Sequence, residues 1–244
     1  MLSKNEAKYI QSFSHKKQRA QSGLFIAEGI KLVNELLHSD FKVKKVFATD
    51  DWENDRIGNV ELIRVTEDEL QKISSLQTAN KVLALVEQPV LELTQIFSKK
   101  IVLALDGIQD PGNLGTIIRI ADWFGINTIV AGIDTVDCFN PKVVQSTMGS
   151  IIRVKVYYTE LNEWLKTVKI PVYGALLSGE SVYNTPKIDE GILVIGNESK
   201  GIHENILPCI THPVSIPRVG QAESLNAAVA TGILLSHLIH PKVI

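Results

Sequence analysis

Between Asp106 and Arg119 the chain carries a polar, glycine-rich loop, centred on Asp110-Pro111-Gly112-Asn113, that opens directly into an amphipathic helix. It follows the apolar run Ile101 to Leu105, so it lies where the carboxyl end of a strand meets the start of a helix. In open α/β sheets that is where ligands bind. Pro111 presets the second position of a turn, and Gly112 tolerates a positive φ at the third. Asn113 is then placed to cap the helix. Arg119 lies nearly two turns further in. It sits between Ile118 and Ile120 on a strongly apolar helix, a setting that predicts partial burial with a partner.

Two later loops are built the same way. The apolar run Leu193-Val194-Ile195 leads into Gly196-Asn197-Glu198-Ser199-Lys200-Gly201, where glycines flank a carboxylate and a ligand could approach the backbone closely. Ile216-Pro217-Arg218-Val219-Gly220 and Ser224-Leu225-Asn226 then open the last helix, with Ser224 a natural cap. Each loop alone is explained by a strand-to-helix turn. Neither GxGxxG nor GxxxxGK[ST] occurs, which disfavours a conventional dinucleotide or nucleoside-triphosphate site. No GxSxG elbow is present either. The residues therefore indicate a site for a nucleotide-like or adenosine-like ligand at strand ends, without naming the ligand.

The elements that must hold these loops read as two domains. Residues 1–90 give a small α/β domain: a helix over Ala27 to His38 and strands at Val43 to Ala48, Glu61 to Val65 and Val82 to Glu87. Thr66-Glu67-Asp68-Glu69 forms a capping box at the start of a further helix. Residues 91–100, with Pro89 just before them, form a linker, and 101–244 form the larger domain. There the strands are Ile101 to Leu105, Thr128 to Ala131, Arg153 to Tyr157, Val172 to Leu177, Ile192 to Ile195 and Val214 to Ile216. Helices start at Asn113, with Gly125 as a left-handed stop, and run over Pro141 to Met148, Leu161 to Val168 and Ser224 to Ile239. Alternating strands and helices predict a mostly parallel, doubly wound sheet covered on both faces.

Composition excludes several classes. The 244 residues are 45% hydrophobic and 21% charged, as in an ordinary globular protein. No run approaches the roughly 18 uninterrupted apolar residues of a membrane helix, and the first residues lack a signal peptide's apolar stretch. A cytoplasmic location without membrane attachment is expected. Cys138 and Cys209 lie far apart without metal-ligand spacing, and the six histidines form no HExxH pattern, so neither a disulfide nor a bound metal is expected. The net charge of −2 does not announce nucleic acid. Residues 1–22, however, carry Lys4, Lys8, Lys16, Lys17 and Arg19 against Glu6 alone, with Tyr9 and Phe13 between them. Two readings stay open: a phosphate-contacting arm, or an exposed amphipathic helix with solvated lysines. Charge alone favours the second.

Taken together, the three loops resemble the three signature motifs of the SpoU family, also called the TrmH family, of RNA ribose 2′-O-methyltransferases. The first resembles Asp110-Pro111-Gly112-Asn113-Leu114-Gly115 with Arg119. The second is similar to Val194-Ile195-Gly196-Asn197-Glu198 with Gly201. The third is similar to Ile216-Pro217 with Gly220 and Ser224-Leu225-Asn226. Phe25-Ile26-Ala27-Glu28-Gly29 with Leu32-Val33 and Glu35-Leu36-Leu37 also resembles the family's amino-terminal substrate-binding domain. Two departures stand out. Arg218 replaces a common methionine and could reach RNA, and Ala79-Asn80-Lys81 replaces a commoner Pro-Gln-Gly.

The resemblance implies a SPOUT fold with a carboxyl-terminal trefoil knot, a homodimer, and S-adenosylmethionine as cofactor without any metal. It implies that Leu177, Gly196, Ile216 and Leu225 cradle the adenosyl group, and that Asn113, Arg119, Glu198, Ser224 and Asn226 are the polar site residues. Lys16, Lys17, Arg19 and Arg218 are the candidate RNA contacts. The implied partner is RNA, with 23S-type ribosomal RNA favoured by the kind of amino-terminal domain. A transfer RNA 2′-O-methyltransferase, a non-catalytic RNA-binding member of the fold and a small-molecule enzyme are the alternatives. Family proposals have Arg119 activating the 2′-hydroxyl, yet a guanidinium is essentially always protonated and makes a poor base.

Overall fold

The computed structural model describes residues 2–93 and 99–240. In chain order the first elements are α1 Lys4–Ser12, α2 Lys16–Ser22, β1 Leu24–Glu28, α3 Ile30–Leu37, β2 Val43–Ala48, β3 Glu61–Arg64, α4 Glu67–Ile73 and β4 Val82–Glu87. There follow β5 Ile101–Leu105, α5 Pro111–Trp123, β6 Thr128–Gly132, α6 Pro141–Ser146, β7 Lys155–Thr159, α7 Leu161–Thr167, β8 Val172–Ser181, β9 Gly191–Ile195, β10 His212–Ser215 and α8 Ala227–Leu238. The chain divides into two compact units. One holds the residues up to Val90 with Asp137–Ile152; the other holds Leu91–Val136 with the residues from Arg153 onward. The segment 137–152 thus departs from the continuous domain 101–244 expected from sequence. Of the expected linker, 94–98 lie outside the described residues.

The first unit has a four-stranded sheet in the order β1-β4-β2-β3. β4 runs antiparallel to both β1 and β2, and β3 is parallel to β2. The helix expected from Ala27 begins only at Ile30, because Phe25, Ile26 and Ala27 pair with Val86, Leu85 and Ala84 of β4 and are buried. Sheet pairing overrides local helix propensity there. The capping box forms as expected: Thr66 accepts from the Glu69 amide, and the Glu69 carboxylate accepts from the Thr66 amide. Lys81 adopts φ +49, the left-handed region, at the position where the resembling family commonly has glycine. From the returning segment, Phe139, Val144, Ile151 and Ile152 join the core around Phe25 and Trp52.

One buried charge ties this unit together. Arg19 on α2 is 1% exposed. Its Nε and Nη2 donate to Asp137 Oδ2 at 2.9 and 2.6 Å, while Nη1 donates to the carbonyls of Phe13 and Ser14 at 2.7 and 3.0 Å. The guanidinium therefore spans the end of α1, the start of α2 and the first residue of the returning segment. This corrects the expectation that Arg19 contacts RNA: its donors are spent inside the fold.

The second unit carries a six-stranded sheet in the order β10-β8-β9-β5-β6-β7, in which every neighbouring pair is parallel. Val102 and Ala104 of β5 pack with Leu161, Trp164 and Leu165 of α7, while the alternate residues Leu103 and Leu105 are equally buried. A strand covered on both faces has to be apolar throughout, which is why β5 and β9 contain no polar side chain. α5 packs against α8. Gly125 takes φ +71 just past α5, as expected for a left-handed stop. Among the described residues no helix is long and apolar enough to cross a membrane.

Removing one partner of a buried ion pair leaves the other charge without compensation, at a cost of about 3–5 kcal/mol. Arg19→Met is expected to lower the unfolding free energy of the first unit by about 3 kcal/mol, read as a lower urea midpoint. Lys17→Met, on the same helix but exposed, should leave the midpoint within about 0.5 kcal/mol.

Candidate active site

The three loops leave the carboxyl ends of β5, β9 and β10. β5 and β9 lie side by side in register, Leu105 opposite Ile195, and the Asp106 amide donates to the Ile195 carbonyl at 2.9 Å. The first two loops are therefore neighbours from their first residue.

The first loop departs from expectation at its cap. Asp110, not Asn113, caps α5: its carboxylate accepts from the Asn113 amide at 2.8 Å, with Pro111 in the first helical turn. That placement leaves the Asn113 side chain free. Its Nδ2 donates to Glu198 Oε1 at 2.6 Å, and its Oδ1 accepts from Asn226 Nδ2 at 2.8 Å. Asn226 in turn caps α8, its Oδ1 accepting from the Ala228 and Val229 amides at 3.0 and 3.3 Å. Because backbone N–H groups claim the Asn226 oxygen, its nitrogen must face Asn113, and this orders both amides. One chain of side-chain bonds, Glu198–Asn113–Asn226, thus links all three loops.

Ser224, expected to cap α8, does not. It is exposed two residues before the actual cap and forms no hydrogen bond among the described residues. Arg119 is likewise exposed, with no hydrogen bond or ion pair among the described residues, which corrects the expected partial burial with a partner. Both are polar groups presented to solvent, outside the bonded chain.

The second loop closes tightly on itself. The Asn197 amide donates to the Gly201 carbonyl and the Gly201 amide to the Asn197 carbonyl, both at 2.9 Å. Asn197 Nδ2 reaches the Gly107 carbonyl of the first loop at 2.7 Å. A Cβ on Gly196 would overlap the backbone of Gly201 and Ile202, so no other residue fits there.

Leu177 lies within β8, Gly196 just after β9 and Ile216 just after β10, three adjacent strands, and Leu225 precedes α8. Leu177 is 83% and Leu225 47% exposed, so both present large apolar side chains to solvent. Of the candidate RNA contacts, Lys16 and Lys17 are exposed on α2. Arg218 is exposed on the third loop, its guanidinium donating to the Ala222 carbonyl at 3.3 Å.

Sequence reasoning missed His203, whose amide and Nδ1 both bond the carboxylate of buried Asp106, at 2.6 and 2.7 Å. Hydrogen bonding to Asp106, then its negative charge, raises the imidazole pKa above the ordinary value despite some opposing desolvation. Asp106 was visible as the first residue of the first loop, but nothing in sequence couples positions so far apart.

Gly196→Ala is expected to force open the second loop, because the new Cβ would overlap the backbone of Gly201 and Ile202. The amide chemical shifts of Asn197 to His203 should move, while those of residues 24–87 stay in place. Unmoved loop shifts would contradict the close packing at Gly196.

Residues 100–236 match the model of the SpoU rRNA Methylase family, and residues 4–84 match an MRM3-like substrate binding domain. The Bacillus subtilis 23S rRNA (guanosine(2553)-2'-O)-methyltransferase RlmP is 34% identical over 229 residues, covering 91% of each chain. A putative RNA methyltransferase of the TrmH family from Porphyromonas gingivalis superimposes with a TM-score of 0.85 at 35% identity, over 98% of both chains. An AdoMet-bound rRNA methyltransferase from Sinorhizobium meliloti superimposes with a TM-score of 0.87 at 27% identity, over 98% of this chain and 96% of the other. Three loops joined at the carboxyl ends of a parallel sheet, and a family match over more than half the chain, place this protein in the SpoU rRNA methylase family.

Proposed function

We propose that the protein transfers a methyl group from S-adenosylmethionine to a ribose 2′-hydroxyl of 23S-type ribosomal RNA, in the cytoplasm. The observation that carries this reading is the Glu198–Asn113–Asn226 chain, which gathers the three motif loops at one place. The named activity of the Bacillus subtilis relative and the cofactor in the Sinorhizobium meliloti structure support the reaction and the cofactor.

Residues on β8 and in the second and third loops suit such a cofactor. Leu177 and Leu225 offer exposed apolar surface to a flat adenine ring, and the backbone around Gly196 and Ile216 offers donors and acceptors beside it. When bound, S-adenosylmethionine supplies a methyl carbon made electrophilic by its positive sulfur. Alignment of three atoms is then the main requirement, and positioning supplies much of the rate.

Arg119 is always charged and cannot serve as the base. Exposed and unpaired among the described residues, it can grip an RNA phosphate through its planar fork and stabilise the charge developing on the 2′-oxygen. A phosphate oxygen or water takes the proton. Glu198, Asn113 and Asn226 are bonded to one another and hold the loops in register, while Ser224 presents its hydroxyl from the third loop. Lys16, Lys17 and Arg218 extend the RNA contact, with the amino-terminal unit as the substrate-binding part.

The reading includes a trefoil knot and a homodimer. α8 is mostly apolar, with Thr231, Ser236 and His237 as its polar residues, and a helix so rich in apolar residues is largely covered in a stable protein. Val229 on α8 is nevertheless 51% exposed, and Trp123, at the end of the α5 helix against which α8 packs, is 85% exposed. A second copy of the chain seated there would cover both.

Incubation with labelled S-adenosylmethionine and 23S ribosomal RNA should place the label on a ribose 2′-oxygen; tight RNA binding without label would favour a non-catalytic role instead. Arg119→Lys is expected to lower kcat about a hundredfold, and near-wild-type turnover would rule out the bidentate role. Trp123→Glu should shift the sedimenting species from dimer to monomer, and an unchanged mass would remove this face from the interface.

A further inference from the structure

The second loop, which carries Glu198, is fastened at its far end by a group that the methyl-transfer reading does not use. His203 bonds Asp106 twice, through its backbone amide and through Nδ1. The Asp106 carboxylate is 2% exposed at the end of β5, so it is a fixed point of the sheet. Asp134, in the turn after β6, faces the same imidazole: a carboxylate oxygen of Asp106, one of Asp134 and a ring nitrogen of His203 all lie within 4.8 Å of one another. They pack around Gly107, whose φ is +70; a Cβ there would lie 3.0 Å from Asp134 Oδ2 and 3.3 Å from His203 Cε1. The charged groups facing His203 are thus Asp106 from β5, Asp134 from beyond β6 and Lys200 from its own loop.

We propose that His203 is a positioning residue for methyl transfer: held between Asp106 and Asp134, it latches the second loop onto the end of β5 and so holds Glu198 against Asn113. This rests on the loop being part of a methyl-transfer site. Both oxygens of Asp106 accept from His203, and a carboxylate can only accept, so Nδ1 carries hydrogen in either protonation state. Protonation adds charge to a bond that already exists. A charge-assisted bond is roughly twice as strong as a neutral one.

Asp106 first, and Asp134 after it, raise the His203 pKa over the opposing desolvation and Lys200. A raised pKa in the folded state means that the latch is at full strength below the ordinary histidine value and weakens as pH rises through the elevated one. Gly196, by contrast, follows directly from β9, whose pairing with β5 is independent of His203. The latch should therefore act on kcat more than on the KM for S-adenosylmethionine.

The test is the pH profile of the full-length enzyme and three variants. His203→Gln should lower kcat about tenfold, leave the cofactor KM within about twofold, and abolish the alkaline descent of kcat. Asp134→Asn, an exposed change, should move that descent to lower pH. His203→Arg, charged at every accessible pH, should restore kcat and flatten the limb. In parallel, hydrogen exchange of the Gly201 amide is followed at fixed pH without substrate, and His203→Gln should speed it. Faster Gly201 exchange in His203→Gln, with a wild-type enzyme inactive on ribosomal RNA, would remove the methyl-transfer role and keep the latch. Unchanged Gly201 exchange, a wild-type pH profile in His203→Gln, or an unmoved limb in Asp134→Asn would overturn it.

Discussion

The site depends on how one amide is shared. Asn226 uses its oxygen to satisfy the first free N–H groups of α8, leaving only its nitrogen for Asn113. Asn113 must then accept with its own oxygen, and its nitrogen turns to Glu198. Each group has one remaining role, so the order of donors along the chain is determined by the helix that Asn226 caps. Such a line of bonds has little freedom to rearrange, and it lies where three loops from separate strands have to agree in position.

That agreement is prepared by the sheet. β5 and β9 are adjacent and in register, so the loops they release begin side by side, and Asn197 bonds back to Gly107 within the first turn. The closure of Asn197 on Gly201 then leaves no volume at Gly196 for a side chain. Polar groups in the three loops are ordered by backbone constraints before any ligand arrives, the kind of preorganisation that electrostatic catalysis draws on. Arg119 and Ser224 stand outside that ordering, exposed to solvent. Their exposure fits groups that act on a partner rather than on the fold.

The first unit shows a basic residue put to a different use. Arg19 belongs to a lysine-rich stretch that suggested nucleic-acid contact, yet it is one of the most deeply buried side chains in the protein. Its partner Asp137 arrives from a segment far along the chain. Charge counts along a sequence see net sign and density, whereas the buried pair depends on which distant carboxylate returns to meet the guanidinium. Lys16 and Lys17, on the same short helix, remain in water.

Much of the architecture was readable from residue patterns. Continuous apolar runs marked β5 and β9, the Thr66–Glu69 capping box marked α4, and Gly125 marked the end of α5, because each rests on a local rule. Local reading failed where two local solutions compete. Ala27 and Glu28 can start a helix but are held by pairing with β4, and Asp110 and Asn113 can each cap α5, as Ser224 and Asn226 can each cap α8. Capping by Asp110 left the whole Asn113 side chain to the site, and capping by Asn226 left its nitrogen alone to reach Asn113. Residue types, loop order and the parallel sheet were written in sequence, since they depend on neighbours along the chain. The burial of Arg19, the Glu198–Asn113–Asn226 chain and the grip of His203 on Asp106 were decided by folding alone, since each joins groups that only the closed sheet and its returning segment bring within hydrogen-bond distance.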